Sequence, residues 1–192
     1  MHPEFETYLR SGGDMPEEAI RRISDLAVPR KLRRNELVFS AGEICRHKVF
    51  VMSGLLHTFN ISAGGNQHIL QFSPENSWTL DVESYDRQIP SQVSIGAVEP
   101  SMILSWQKKD FDMLLAEVPQ LKKFAEDLIA RNTHYSRKRI LLSLSATPEE
   151  KYEDFVQTFP NYLPRLPLRM IAAYLGISIK TLTRIRHAQL QR

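Results

Sequence analysis

The residues best suited to chemistry lie near the end of the chain. From Leu166 to Arg186 the sequence reads Leu-Pro-Leu-Arg-Met-Ile-Ala-Ala-Tyr-Leu-Gly-Ile-Ser-Ile-Lys-Thr-Leu-Thr-Arg-Ile-Arg. Met170, Ile171, Tyr174 and Leu175 recur at helical spacing. Ala172 is small where a second helix must cross closely, and Gly176 supplies a turn that needs an unusual backbone. Ile177 plugs that turn, and Ser178 is a strong N-cap for the next helix. Leu182 and Ile185 point the second helix back onto the first. The face left outward holds Ile179, Lys180, Thr181, Thr183 and Arg184, with Arg186 and His187 beside it. This is the pattern of a helix-turn-helix. Arg184 can donate two hydrogen bonds to guanine O6 and N7, and Lys180 to guanine or phosphate. Thr181 and Thr183 suit phosphate oxygens or a thymine methyl. The candidate DNA-binding residues are Arg169, Ser178, Lys180, Thr181, Thr183, Arg184 and Arg186. A helical hairpin that merely packs is the plain alternative. The Ala–x3–Gly–x5–Leu spacing, the serine cap and the absence of carboxylates count against it.

Other reactive groups are sparse. Cys45 is the only cysteine, so an intrachain disulfide, a thiolate zinc finger and a cysteine-ligated iron–sulfur cluster built from one chain are all excluded. None of the six histidines sits at a metal-binding spacing, although His57 and His68 are expected as cross-strand neighbours. No nucleophile elbow, phosphate-binding glycine loop or Ser–His–Asp order is present. No catalysis and no cofactor are expected.

The elements that must position the C-terminal pair follow from periodicity. A largely helical opening from Thr7 to Leu26, capped at Asp14 or a neighbour, stops at Pro29. A strand is expected over Leu32–Phe39, then strands around His47–Met52, Leu55–Ile61 and Gln67–Phe72, the last two joined by the hairpin loop Ala63-Gly64-Gly65-Asn66. Gln92–Val98 and Ser101–Trp106 add two more. Short strands at about 8–12-residue spacing argue an antiparallel barrel or jelly roll. Asp110 is a plausible cap for the helical turn that follows. Pro119 then opens a long helix whose stripe of Leu121, Phe124, Ala125, Leu128, Ile129, Tyr135 and Leu142 reads as a dimer seam. Thr147-Pro148-Glu149-Glu150 is a capping box that starts another helix. The fold class is α+β: an N-terminal double-stranded β-helix (jelly-roll) barrel over 1–118, a long linker and dimerisation helix over 119–146, and a small all-α helix-turn-helix unit over 147–192.

This arrangement resembles the Crp/Fnr family of transcription regulators. Phe50-Val51-Met52-Ser53-Gly54-Leu55-Leu56 and Gln67-His68-Ile69-Leu70-Gln71-Phe72 look like that family's barrel strands. Ile171 to Ser178 with Thr181 to Arg186 looks like its recognition unit. The resemblance implies a cyclic-nucleotide-binding-like barrel, a homodimer through the Leu121–Leu142 helix, a pseudo-palindromic double-stranded DNA operator and contact with RNA polymerase. Two departures stand out. Only six residues follow Arg186, so wing-like strands are expected before the helix pair if at all. The family's phosphate cassette, a Gly-Glu pair followed about ten residues later by Arg-Ser or Arg-Thr, is replaced within Ser77–Val93. Ser91-Gln92 stands where Arg-Ser would be, and Arg87 is the only nearby cation. A cyclic phosphate needs donors to offset its desolvation. No cyclic AMP response is therefore expected. An unknown, uncharged or cationic small-molecule effector could instead use a pocket of Trp78, Asp81, Glu83, Tyr85, Ser91 and Gln92.

Charge sharpens the division. The net charge is +3. Residues 1–119 hold 12 basic and 16 acidic side chains, and residues 120–192 hold 13 and 6. The front is thus at −4 and the back at +7, with no carboxylate after Asp154. A basic back attracts a polyanion. With no signal-peptide pattern and no apolar run near 18–20 residues, a cytoplasmic protein without membrane contact is expected. The expected function is sequence-specific, homodimeric transcription regulation. The alternative is a barrel-based small-molecule sensor that acts mainly through protein–protein interaction. A cupin-like barrel enzyme ranks below both, because the metal-ligand histidine cluster is missing.

Overall fold

Two four-stranded antiparallel sheets form the barrel. One has the order β1–β8–β3–β6, the other β2–β7–β4–β5. The strands are β1 (Val28–Leu32), β2 (Leu37–Phe39), β3 (His47–Ser53), β4 (Leu56–Ile61), β5 (Gln67–Ser73), β6 (Ser77–Thr79), β7 (Ser94–Ala97) and β8 (Ser101–Gln107). The computed structural model describes residues 2–190; Met1, Gln191 and Arg192, at the outer ends of the expected first and last segments, lie outside it. Helices α1 (Pro3–Ser11) and α2 (Glu17–Asp25) precede the barrel, and α3 (Val82–Arg87) interrupts it. Helices α4 (Lys108–Glu117), α5 (Pro119–Ser145), α6 (Pro148–Thr158), α7 (Leu168–Leu175) and α8 (Ile179–Leu190) follow.

Strand period explains how the barrel divides its apolar residues. Side chains alternate between faces along a strand. Val49 and Val51 of β3 enter the interior with Leu56, Ile95, Ala97 and Ile103. Phe50 between them faces the other way, into a cluster with Phe5, Trp78, Trp106 and Phe111 that receives α1, α2, α4 and the start of α5. A third cluster joins Leu55, Phe59, Ile69 and Phe72 to α6, α7 and α8.

Several expectations need correction. The opening helical stretch is two helices, split at Gly12-Gly13. Helix α2 starts from Pro16 with no side-chain cap, so Asp14 caps nothing there. The strand expected over Leu32–Phe39 is two strands in different sheets. Asn35 adopts a left-handed φ of 64°, and the Glu36 carboxylate accepts from the Arg33 amide at 2.9 Å. That turn sends β1 to β8 and β2 to β7. Pro29 does not stop a helix; it sits in β1, an edge strand, where a missing N–H is tolerated. Asp110 lies inside the first turn of α4, whose N-cap is Gln107 without a side-chain bond. The capping box at Thr147 forms as expected, with Glu150 accepting from the Thr147 amide at 2.7 Å.

His57 and His68 are not cross-strand partners: His57 faces Phe72 and His68 faces Asn60. A bulge between Thr58 and Phe59 shifts the register. His57 is buried, stacks on Phe59 at 4.5 Å, and has Nδ1 3.0 Å from the Gly96 carbonyl. Burial pushes its pKa down to about 4, against the bond to Gly96, which favours the charged form. The folded protein therefore keeps His57 neutral where the unfolded chain takes a proton. Its contribution is complete above pH 6.5 and is lost as pH falls from there toward 4, by about 3 kcal/mol at most. Thermal melts at pH 7.5 and pH 5 check this. The melting temperature should fall further for the wild type than for His57→Gln, and equal falls would remove His57 as the cause.

Candidate functional site

Helices α7 and α8 meet around Met170, Ile171, Ala172 and Leu175 on one side and Leu182 and Ile185 on the other, all buried. Gly176 ends α7 with φ 68° and ψ 32°, the left-handed region that favours glycine. Ser178 Oγ accepts from the Thr181 amide at 3.0 Å and lies 2.8 Å from the Thr181 hydroxyl. Both side chains are thereby engaged at the start of α8. Lys180, Arg184 and His187 are exposed, and their spacing of four and three residues puts them on one face. Thr183 is half-buried, with its hydroxyl donating to the Ile179 carbonyl at 2.9 Å. Arg186 is half-buried, whereas Arg169 is exposed on α7 rather than α8. Arg184 Nη2 also donates to Glu149 at 3.0 Å. Both partners are more than half exposed, so the pair is easily exchanged for another acceptor.

The six residues expected to share a ligand pocket do not come together. Trp78 packs in the aromatic cluster with Phe5, Phe50 and Trp106. Tyr85 is buried, with the Lys108 ammonium 4.5 Å from its ring centre. Glu83 is exposed and paired with Arg87 one helical turn away. Gln92 uses its backbone carbonyl to accept from Asn60 at 2.6 Å. Asp81 and Ser91 do meet: the buried Ser91 hydroxyl donates to the Asp81 carboxylate at 2.6 Å. Ser77–Val93 contains β6 and α3, whose Trp78 and Tyr85 pack against Phe111 and Lys108 of α4, whereas Asp81 pairs with Ser91.

Of these six, only Asp81 lines a cavity of about 660 Å³ beside β5. The cavity lies between β5, the second half of α5, and helices α6 and α7. Arg139 on α5 dominates its polar wall. Nη2 donates to the carbonyls of Ile69 in β5 at 2.8 Å and Tyr174 in α7 at 2.9 Å. The guanidinium also lies 3.8 Å from the centre of the Tyr174 ring. The Tyr174 hydroxyl is 2.6 Å from that of Tyr135. Arg139, Tyr135 and Tyr174 were absent from the expected site residues. The sequence signal was faint: a basic run at Arg137-Lys138-Arg139 and a tyrosine on each of two helical stripes.

Among the described residues, no group of three His, Cys, Asp or Glu side chains is placed to hold a metal ion. No helix there is long and apolar enough to cross a membrane. Cys45 is buried, and burial pushes its thiol pKa up.

Two four-stranded antiparallel sheets with an inserted short helix, followed by a long helix and a helix-turn-helix, define the class of a β-barrel joined to a helix-turn-helix module. Residues 29–118 match the cyclic nucleotide-binding domain family. The chain is 25% identical over 171 residues to the transcriptional activator protein FnrA of Stutzerimonas stutzeri, covering 81% of this chain and 68% of that one. Its fold matches FixK2 from Bradyrhizobium japonicum with a TM-score of 0.75 at 16% identity, covering 86% and 84% of the two chains. It also matches the c-di-GMP responsive global regulator CLP of Xanthomonas campestris with a TM-score of 0.77 at 10% identity, covering 92% and 93%. Over these stretches the chain resembles transcription regulators of the Crp/Fnr family. Regulators of this family bind DNA, typically act as dimers, and are not enzymes.

A second cation holds the two halves together. Arg165 donates to both Glu75 oxygens at 2.7 and 3.1 Å, and to Glu99 at 2.5 Å. The two carboxylates raise its pKa further. Its side chain is only 23% exposed, which places the network between surface and buried pairs. Arg165→Ala should cost about 2 kcal/mol in urea unfolding, because Glu75 and Glu99 would be left facing each other. A change within about 0.5 kcal/mol would assign the network no net role.

Proposed function

We propose that this chain reads DNA sequence as a homodimer through α8 and does not respond to cyclic AMP. The observation that carries the reading is the exposed Lys180–Arg184–His187 face on a helix that Ser178 caps and Leu182 and Ile185 anchor. The N-terminal part of a recognition helix enters the major groove. Lys180 and Arg184 then reach bases, while Thr183 and Arg169 suit phosphate contacts. Ser178 and Thr181 serve chiefly to hold the helix start. In this reading 1–118 senses, 119–146 joins and dimerises, and 147–192 binds a pseudo-palindromic operator with half-sites about 34 Å apart. RNA polymerase is a further partner of this proposal.

The cassette supports the absence of a cyclic AMP response. Asp81 and Ser91 satisfy each other, and Arg87 is held outward by Glu83. A cyclic phosphate placed there would meet a carboxylate. A gel-shift titration on the protein's own promoter region tests both parts. Binding should weaken steeply with salt, and cyclic AMP should leave it unchanged. Arg184→Ala should cost about 1–3 kcal/mol and relax preference at one base position. Unchanged binding by that variant would remove Arg184 from base reading.

Of the stripe expected as a dimer seam, Ile129 is the one residue left exposed on α5. Leu121, Phe124 and Ala125 are buried within the chain, and Leu128 packs beside them. Tyr135 and Leu142 line the cavity. Ile129, Ile140 and Leu144 are 60%, 59% and 81% exposed. At about 100° per residue these three fall within about 60° of each other, and Phe124, Leu128, Tyr135 and Leu142 lie about 100° or more from Ile129, while Ala125 is about 40° from it. We place the partner helix against them. Sedimentation at micromolar protein should give a dimer for the wild type and a monomer for Ile140→Glu/Leu144→Glu. A dimer that survives the double substitution would move the seam elsewhere.

A further inference from the structure

We propose that the cavity between β5, α5 and α7 takes an organic anion with an apolar body, and that this anion loosens the joint by competing for Arg139. The proposal rests on the regulator reading above and adds the ligand's chemical class and its point of action.

Charge sets the class. Three cations, Lys138, Arg139 and Lys151, and two carboxylates, Asp81 and Asp154, line the cavity beside His68, Tyr135 and Tyr174. Asp154 is taken by Lys138 at 2.7 Å, and Asp81 accepts from Ser91. Arg139 and Lys151 meet only neutral acceptors, the carbonyls of Ile69, Tyr174 and Ser143. Two cations thus face the space with no carboxylate partner among the described residues. An anion adds a Coulombic attraction to each cation that a neutral carbonyl does not supply, so it gains more from them than a neutral ligand does. Ile69, Leu80, Val93, Leu142, Phe155 and Phe159 give the wall a large apolar part, with Thr58, Gln71 and Ser136 among its polar side chains. The volume of about 660 Å³ lies within the range of small-molecule sites.

The geometry of the guanidinium sets the consequence. Its two forks, Nε with Nη2 and Nη1 with Nη2, both include Nη2. Both Nη2 hydrogens are already donated, one to the barrel and one to α7. A carboxylate or sulfonate that engages either fork must therefore displace one carbonyl. The Tyr174 carbonyl belongs to the last turn of α7, where no intrahelical donor follows. Displacing it frees the helix that leads through Gly176 into α8. Ligand binding and docking of the helix-turn-helix onto β5 then oppose each other by the same coupling energy.

Two fluorescent probes that differ chiefly in charge test this on the full chain: 8-anilinonaphthalene-1-sulfonate, an aromatic anion, and the uncharged N-phenyl-1-naphthylamine. The sulfonate should saturate at one per chain. In Arg139→Gln its affinity should fall about tenfold while the uncharged dye is unaffected. Leu142→Trp, which fills the cavity and leaves Arg139 in place, should weaken both dyes. Hydrogen exchange in α7 should speed up when the sulfonate is bound. Equal losses of the two dyes in Arg139→Gln, unchanged sulfonate binding in either variant, or slower α7 exchange would each overturn the proposal. If Arg139→Gln does not fold, Lys151→Gln supplies the same charge comparison, with a selective loss of the sulfonate expected and equal effects on the dyes overturning the proposal. A wild-type gel shift separates the two readings. Absence of DNA binding would sink the regulator reading, while the dye comparison alone decides the ligand class.

Discussion

The packing of α7 on β5 is the contact on which the rest of the arrangement depends. Helix α7 has eight residues, and a helix that short is not stable by itself in water. Its order comes from burial. Phe72 of β5 lies 5.2 Å from the Tyr174 ring and 6.1 Å from that of Tyr162, and Phe155 of α6 closes on Tyr174 at 5.5 Å. Apolar burial is strong but non-directional. Two arginines supply direction. Arg165 ties the segment before α7 to the β5–β6 and β7–β8 turns through Glu75 and Glu99, and Arg139 ties the end of α7 to Ile69. The position of α8 follows, because Gly176 and Ser178 leave the turn between the helices little freedom.

Features governed by near neighbours were legible in the sequence. Thr147 and Glu150 form their box, Gly176 adopts its left-handed turn, and Ser178 caps α8, because each needs only partners within four residues. The antiparallel barrel was legible for a similar reason, since strand spacing and turn residues are local signals. Features set by distant pairing were not. The split between β1 and β2 depends on β8 and β7, more than 50 residues away. The α5 stripe was visible as a stripe, but its partner was not. Periodicity reports that a face is apolar and is silent on whether a barrel, α7 or a second chain covers it. The same limit hid the cavity. Arg139 matters through carbonyls 70 and 35 residues away, and backbone acceptors leave no mark in a sequence. The residues chosen from the cassette do not share a pocket because Trp78 and Tyr85 pack against α4 while Asp81 pairs with Ser91.

The charge division also changes meaning once the pairs are placed. An acidic front and a basic back suggest a field for a polyanion. Part of that asymmetry is spent inside the chain, since Arg165 of the basic half neutralises Glu75 and Glu99 of the acidic half. What remains on α8 is engaged only lightly. The Arg184–Glu149 pair is exposed on both sides, and such pairs are worth about 0–1 kcal/mol. A phosphate or guanine can replace Glu149 at little cost, so this pair is too weak to hold α8 shut. Arg139 differs in each respect: it is half-buried, stacked on Tyr174, and bonded at once to the barrel and to α7. In the proposed reading, control of DNA reading by a ligand therefore belongs at the joint, where Arg139 bridges the barrel and α7, and not at the reading face, where the Arg184–Glu149 pair is solvated and separable.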